Sequence, residues 1–285
     1  MRSYIDCVHC YLKQVVSCMS NAGVDEDTQY KIIYEMMDYV KNFDINDTPA
    51  ENSTKALLKA YEMIGVEDPF EKAKKESNDL ALSLYPRLKE IVKNSEDSLY
   101  LALKVAVAGN IIDLGINRSY DIDAALQHSL KTGFSKDDYG SFVRKLENVE
   151  EVLLLGDNAG EIVFDKILVE ELVQRGKKVI YVVKDGPILN DATLQDAVYV
   201  GMDKIAEVIT TGNNFLGVSL KRVSEPFLNR LKNSELIISK GQANFESLES
   251  ENIVKGKIYF LLKIKCYEVG RVAGAELGDV VFMVG

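Results

Sequence analysis

The chain has 285 residues, 47% of them hydrophobic and 27% charged, a composition that excludes disordered and collagen-like classes and leaves core enough for two domains or one large one. Lys and Arg number 34 against 44 Asp and Glu, a formal net charge of −10. The acidic excess holds on both sides of residue 148 (24 against 18 before it, 20 against 16 after it), which argues against nucleic acid as a bulk partner, because counterion release onto Lys and Arg drives nonspecific binding.

The chain starts MRSYIDCVHCYLKQ, charged and polar where a signal peptide needs an apolar run, and no 18-residue apolar stretch follows, so no membrane contact is expected. Four cysteines are too few for a disulfide scaffold and suit a reducing compartment; the expected location is cytoplasmic. Up to residue 148 only 6 of the 19 glycines occur, and apolar residues recur at helical spacing, as in Tyr30, Ile33, Tyr34 and Met37 and again in Leu99, Leu103 and Ala106. Breaks fall at Asn21-Ala22-Gly23, Asp47-Thr48-Pro49 and Asp68-Pro69, and Asp121-Ile122-Asp123 reads as a helix start. Residues 1–148 are therefore expected to form an all-helical N-terminal domain.

Within it, the stretch Leu103 to Gly115 carries Gly109 and Asp113 inside an apolar helical pattern. A mid-helix glycine costs about 1 kcal/mol relative to alanine, and an aspartate in a last turn opposes the helix dipole. A helix ending at Gly109 removes both conflicts. If it continues, Asn110 and Asp113 share a face that could reach a ligand.

After Glu150 short β-branched runs alternate with amphipathic stretches: 152–155, 178–183, 206–210, 235–239, 257–262 and 280–284. That alternation predicts an α/β domain over 149–285 with a mostly parallel sheet covered on both faces, whose ligand lies beyond the carboxyl ends of the strands. The first run leads into Gly156-Asp157-Asn158-Ala159-Gly160-Glu161. Asn158 and Glu161 fit a capping box, but Asp157 has no such account, and a carboxylate at a buried strand tip is costly to desolvate. The second leads to Asn190-Asp191-Ala192-Thr193, where Asp191 could cap a helix. If the two strands are parallel neighbours, Asp157, Asn158 and Asp191 meet. Their hard oxygen set suits Mg²⁺ or Mn²⁺, with Co²⁺ or Ni²⁺ as further options. Two carboxylates neutralise such an ion, so a phosphate arriving there needs further positive charge, which Lys240 and Lys263 at two later strand ends could supply.

Together, Gly109-Asn110-Ile111-Ile112-Asp113, Gly156 to Glu161, Pro187 to Thr193 and Lys240-Gly241-Gln242-Ala243-Asn244-Phe245-Glu246 resemble the damage-control phosphatases, long called domain of unknown function 89. The resemblance spans nearly the whole chain. It implies a three-layer α/β/α sandwich carrying a helical N-terminal region, and metal-dependent hydrolysis of sugar phosphates or related phosphometabolites as small-molecule substrates. It also implies that Asp157, Asn158 and Asp191 ligate the metal and serve catalysis, to which charge counting adds Lys240. Asn110, Asp113, Glu161, Asn190, Gln242, Asn244 and Lys263 are then expected on the substrate side. Leu261 and Leu262 precede Lys263 where some members have Arg-Thr, which suggests a branch distinct from that of the human carboxyl-methyltransferase-like member. Cys7-Val8-His9-Cys10 resembles the Cys-x-x-Cys of a prokaryotic branch; it could be half a metal site with Cys18 or Cys266, a redox pair, or two ordinary thiols. Water attack and an Asp157 nucleophile both remain open. The alternatives are an S-adenosylmethionine- or nucleotide-binding enzyme such as a methyltransferase, although Gly156 and Gly160 lack the G-x-G-x-x-G spacing, and a non-enzymatic metal- or redox-sensing module built on Cys7 and Cys10.

Overall fold

The structure, a computed structural model, describes residues 1–109 and 132–285. Asn110, Asp113 and the expected helix start at 121–123 lie outside the described residues. Three helices come first: α1 (Ile5–Asn21), α2 (Glu26–Val40) and α3 (Pro49–Ile64). Their boundaries follow from local chemistry. Asp25 accepts the Thr28 N–H to cap α2, Thr48 accepts the Glu51 N–H to cap α3, and Pro49 at the first position of α3 has no N–H to satisfy. Their apolar faces close on one another through Val15, Met36, Leu57 and Ala60. The same cluster takes in Ile188 and Leu216 from loops of the second half, so these helices form a cap seated on those loops.

Helices α4 (Glu71–Lys93) and α5 (Ser98–Ala108) belong to a different layer. Their buried residues, Leu88, Val92, Leu99 and Leu103 among them, join Val152, Leu154, Val179 and Tyr181 of the sheet in one continuous core. Strand β1 (Lys136–Asp137) and helix α6 (Tyr139–Glu147) follow, then β2 (Glu151–Leu155), α7 (Glu161–Gln174), β3 (Lys178–Val183), α8 (Leu194–Tyr199), β4 (Glu207–Thr210), α9 (Glu225–Asn233), β5 (Ile237–Lys240), α10 (Gln242–Leu248), β6 (Ile258–Lys263), α11 (Tyr267–Ala273) and β7 (Val280–Val284). The strand β1 precedes residue 148 yet pairs with β7, so the helical half also contributes to the sheet.

The strands form one seven-stranded sheet in the order β1-β7-β6-β5-β2-β3-β4, parallel except between β6 and β7. Residues of alternate parity point to opposite faces. Leu153, Ile180, Ile237 and Phe260 pack with Phe227, Phe245 and Val269 of α9, α10 and α11, while the other face meets α4, α5 and α7. This is the three-layer arrangement, and it explains why β2 is apolar at every position from 152 to 155: each side chain is buried, at roughly 1.5–3 kcal/mol for a large aliphatic one. The strand order reverses between β2 and β5, where the chain returns from β4 to the other side of β2. The crevice beyond the carboxyl ends of β2 and β5 is thus the topological switch point. No helix among the described residues is long and apolar enough to cross a membrane.

Candidate active site

The loops after β2 and β3 are stitched together at that crevice. Asn158 and Asp191 form an isolated antiparallel bridge, Ala192 N–H donates to the Asp157 carbonyl at 2.9 Å, and Ala159 N–H donates to the Asn190 carbonyl at 2.8 Å. Asp157, Asn158, Asn190 and Asp191 therefore share one site. Neither capping expectation is realised. Helix α8 begins at Leu194 with Thr193 as its cap, whose N–H and hydroxyl both donate to Asp196 Oδ2, at 2.9 and 2.7 Å, so Asp191 is not spent on the helix. Helix α7 is capped by Gly160, and Asn158 instead donates its amide to Glu161 Oε1 at 3.1 Å and to Asp157 Oδ2 at 3.5 Å.

Beneath these residues lies a buried ionic cluster. Lys240 is fully enclosed, its Nζ 2.7 Å from Asp165 Oδ1 and 3.2 Å from Glu161 Oε2, and the Tyr181 hydroxyl donates to Asp165 Oδ2 at 2.7 Å. Burial alone would lower the Lys240 pKa; Asp165 and Glu161 outweigh it and hold the group above the usual lysine range. The expected contact between Lys240 and an arriving phosphate is not what the structure shows. Its side chain follows the Ile238 face of β5 into the α7 layer, where two carboxylates occupy it. On the other sheet face Lys184 is also buried, donating to the Gly217 carbonyl and lying 3.7 Å from Asp191 Oδ2. Burial pushes its pKa down against the attraction of Asp191 and Asp157. Asp157 is driven well above the normal carboxyl range by burial first and then by Glu161 and Asp191, with Lys265 and Lys240 acting the other way.

Close packing fixes these groups. A Cβ on Gly241 would lie 2.0 Å from Asp157 Oδ2, and Gly241 has φ +79°, so both space and backbone require glycine where Asp157 crosses to β5. Asn244 donates to the Gly156 carbonyl at 3.0 Å and to the Lys240 carbonyl at 2.8 Å, tying the ends of β2 and β5 across the switch point. Gly156 leaves room for Tyr181, whose hydroxyl would be 2.7 Å from a Cβ there; the glycine serves packing in place of a cofactor phosphate. Gly109 is the C-cap of α5, and a Cβ on it would meet Glu161 Cγ at 2.9 Å. The cap reaches the site through α3: Leu189, at φ 44° in the left-handed region, donates its N–H to the Tyr61 hydroxyl at 2.9 Å, two residues before Asp191.

Several contributors escaped the sequence reading. Asn78 of α4 accepts the Gly160 N–H at 2.7 Å and donates to Asp196 Oδ1 at 2.8 Å, linking both crossover loops. The signal for Asp165 was available: Glu161 and Asp165 stand four apart on one helix, separated by Ile162, Val163 and Phe164, a like-charge spacing that a cation between them relieves. Lys263 ends β6, its backbone paired with Val280, and it is Lys265, exposed two residues later, whose charge acts on Asp157. Gln242 donates to Glu246 Oε1 at 2.9 Å and accepts the Lys265 N–H at 3.1 Å. The thiols Cys7, Cys10 and Cys266 are raised above the usual range by burial first, and Glu246 adds to all three. They are free cysteines, and Cys18 is buried separately.

Among the described residues no three His, Cys, Asp or Glu side chains are arranged to hold a metal ion. The set at the crevice differs in kind, with two carboxylates, Asp157 and Asp191, and the amide of Asn158, whose nitrogen donates to Asp157 and Glu161. Asp157, Glu161, Asp165 and Asp191 with Lys184 and Lys240 sum to −2 when all are ionised, and a divalent cation would bring the six to neutrality. Charge and donor chemistry therefore fit a hard divalent ion.

The sequence profile of the damage-control phosphatase ARMT1-like domain matches residues 3–281. The chain is 32% identical to damage-control phosphatase PH1575 of Pyrococcus horikoshii over 99% of this chain and 98% of that one. It is 33% identical to a damage-control phosphatase of Archaeoglobus fulgidus over 98% and 97%. The crystal structure of PH1575, described as a DUF89 family protein, superposes with a TM-score of 0.91, covering 100% of this chain and 99% of that chain at 32% identity.

Proposed function

This chain belongs to the damage-control phosphatase ARMT1-like family, and from that membership we propose that it is a metal-dependent phosphatase hydrolysing small phosphomonoesters, sugar phosphates or related phosphometabolites, in metabolite repair. The observation that carries the reading is the bridge between Asn158 and Asp191, which gathers three oxygen donors at the switch point of the sheet.

Asp157, Asn158 and Asp191 would hold Mg²⁺ or Mn²⁺, with Co²⁺ or Ni²⁺ as substitutes, and such an ion supplies Lewis-acid polarisation of a phosphoryl oxygen. The other steps belong to the chain's own groups. Lys265, exposed and near enough for its charge to favour ionised Asp157, would offer an ammonium to an arriving phosphate dianion, and Gln242 fixes the backbone that carries it. Lys240 and Lys184 act from beneath as positioning charges, holding Glu161, Asp165 and Asp191 in place without touching substrate. Asn190, Gln242 and the segment to Asn244 line the approach, and Glu161 orients Asn158. Hydrolysis forms a bond from water oxygen to phosphorus and breaks the ester P–O bond, releasing alcohol and phosphate. A panel of sugar phosphates, nucleotides and p-nitrophenyl phosphate, assayed for phosphate release with each of the four metals, tests the proposal; no release with any pair would refute it.

A further inference from the structure

Glu246 is a buried carboxylate, 8% exposed, outside the metal-binding set. The last position of the Lys240 to Glu246 motif, it faces three elements at once. From its own helix α10, Gln242 donates Nε2 to Glu246 Oε1 at 2.9 Å. From the cap, the Ala50 N–H faces the same carboxylate and favours its ionised form. Ala50 is the second residue of α3, where Pro49 has no N–H and Thr48 is engaged with Glu51, so its N–H is among the orphans of that helix end. A carboxylate is the acceptor that the positive end of the helix favours. From the turn before α11, the Lys265 N–H donates to Gln242 Oε1 at 3.1 Å, and Gln242 Nε2 lies 3.7 Å from Cys266 Sγ. The Gln242 amide has no freedom to flip. Its nitrogen must face an acceptor-only carboxylate and its oxygen a backbone donor.

We infer that Glu246 is a positioning residue, whose carboxylate fastens cap helix α3 to Gln242 and, through Gln242, fixes the 264–266 turn that holds Lys265 beside Asp157. A carboxylate suits the place because its two oxygens can accept from Gln242 and face the Ala50 N–H at once, while an amide there has one oxygen and turns its own donor toward one of them. Docking of the cap and placement of the substrate-side ammonium are thereby one event. The groups facing Glu246 from its surroundings are Cys7 and Cys10 of α1, Cys266 before α11, the Met1 amine and, just past its own helix, Glu249, which is paired with that amine. Burial holds its pKa up at about 7 against the pull of Gln242 and Ala50, so burying this carboxyl between the cap and α10 becomes less favourable as pH rises through neutrality.

The inference rests on the phosphatase reading only in the role given to Lys265, and the test separates the two. Amide hydrogen exchange at Lys265 is measured in the full chain for wild type, Glu246→Gln, Glu246→Leu and Gln242→Ala, beside binding of inorganic phosphate in the presence of Mn²⁺ and the melting temperature of each. The expected result is protection of the Lys265 amide lowered at least about tenfold in Glu246→Leu and Gln242→Ala and by less in Glu246→Gln. Phosphate affinity should fall in the same order and Lys265→Met should add nothing to Glu246→Leu. Should Glu246→Leu fail to fold, Glu246→Gln and Gln242→Ala carry the comparison. Unchanged Lys265 protection in the folded variants overturns the inference whatever phosphate does. Lowered protection with unchanged phosphate affinity upholds the relay and counts against Lys265 as the phosphate anchor.

Discussion

Replacing Lys240 with methionine removes the ammonium that, among the described residues, lies between Glu161 and Asp165. Its Nζ is 2.7 Å from Asp165 Oδ1 and 3.2 Å from Glu161 Oε2, and all three side chains are at most 1% exposed. Water cannot reach the carboxylates once the cation is gone, and they are held four residues apart on one helix, so neither can turn away. Breaking a buried ion pair by deleting one partner costs about 3–5 kcal/mol, because the charge left behind keeps its desolvation penalty without its attraction. Urea unfolding at pH 7.5 should thus show Lys240→Met destabilised by about 3 kcal/mol or more. Lys240→Met with Asp165→Asn should recover part of that loss, since the second change removes one orphaned charge; the non-additivity is a coupling energy read directly from the cycle. A loss below about 1 kcal/mol, or strict additivity, would refute a charge cluster of this kind beneath the site.

Gly241→Ala should abolish metal-dependent phosphate release while far-UV circular dichroism stays native, because the added Cβ would sit 2.0 Å from Asp157 Oδ2 at a backbone φ of +79°; normal turnover would remove Gly241 from the argument. Glu246→Gln changes the pH dependence of stability. The folded-state pKa of about 7 lies above the usual 4.5, so Glu246 contributes stability that is present below about pH 4.5 and lost as pH rises to 7. The stability of Glu246→Gln relative to wild type should accordingly grow by about 3 kcal/mol between pH 4.5 and 8 in parallel urea titrations, and a flat difference would contradict the burial of an ionisable carboxyl. Tyr61→Phe removes the acceptor for the strained Leu189 N–H and should cost about 1–2 kcal/mol of stability with a fall in turnover, measured by urea melts and phosphate release; unchanged turnover would disconnect the cap from Asp191. Quenching during a single turnover should trap no aspartyl-phosphate, the outcome expected of direct water attack, whereas a trapped aspartyl-phosphate on Asp157 would make that residue the nucleophile.

How far the sequence told this in advance depends on whether the information was local. The central strands after residue 150 were legible because a strand buried on both faces is apolar along its length, as Val152 to Leu155 and Val179 to Val183 show. The helix breaks at Gly23, Pro49 and Pro69 were legible for the same local reason. A two-residue strand such as β1 has no period to read and exists only because β7 offers it a partner. The meeting of Asp157 and Asp191 followed from two crossovers of neighbouring strands, which is topology. The fate of the lysines did not. Whether Lys240 faces the crevice or the α7 layer depends on strand parity at the last residue of β5, and the choice between Lys263 and Lys265 turns on where β6 stops, the kind of boundary a pattern fixes to only a few residues. Asn78 and Tyr61 were invisible because their partners lie 82 and 128 residues away.

The central claim is that Asp157, Asn158 and Asp191 gather at one divalent cation, and Mn²⁺ binding followed by electron paramagnetic resonance tests it without reference to any substrate. Wild type should bind one Mn²⁺ per chain, with binding lost in both Asp157→Ala and Asp191→Ala and weakened in Asn158→Ala, while Cys7→Ser with Cys10→Ser leaves it intact. Equal Mn²⁺ binding by the two aspartate variants and wild type would contradict the claim.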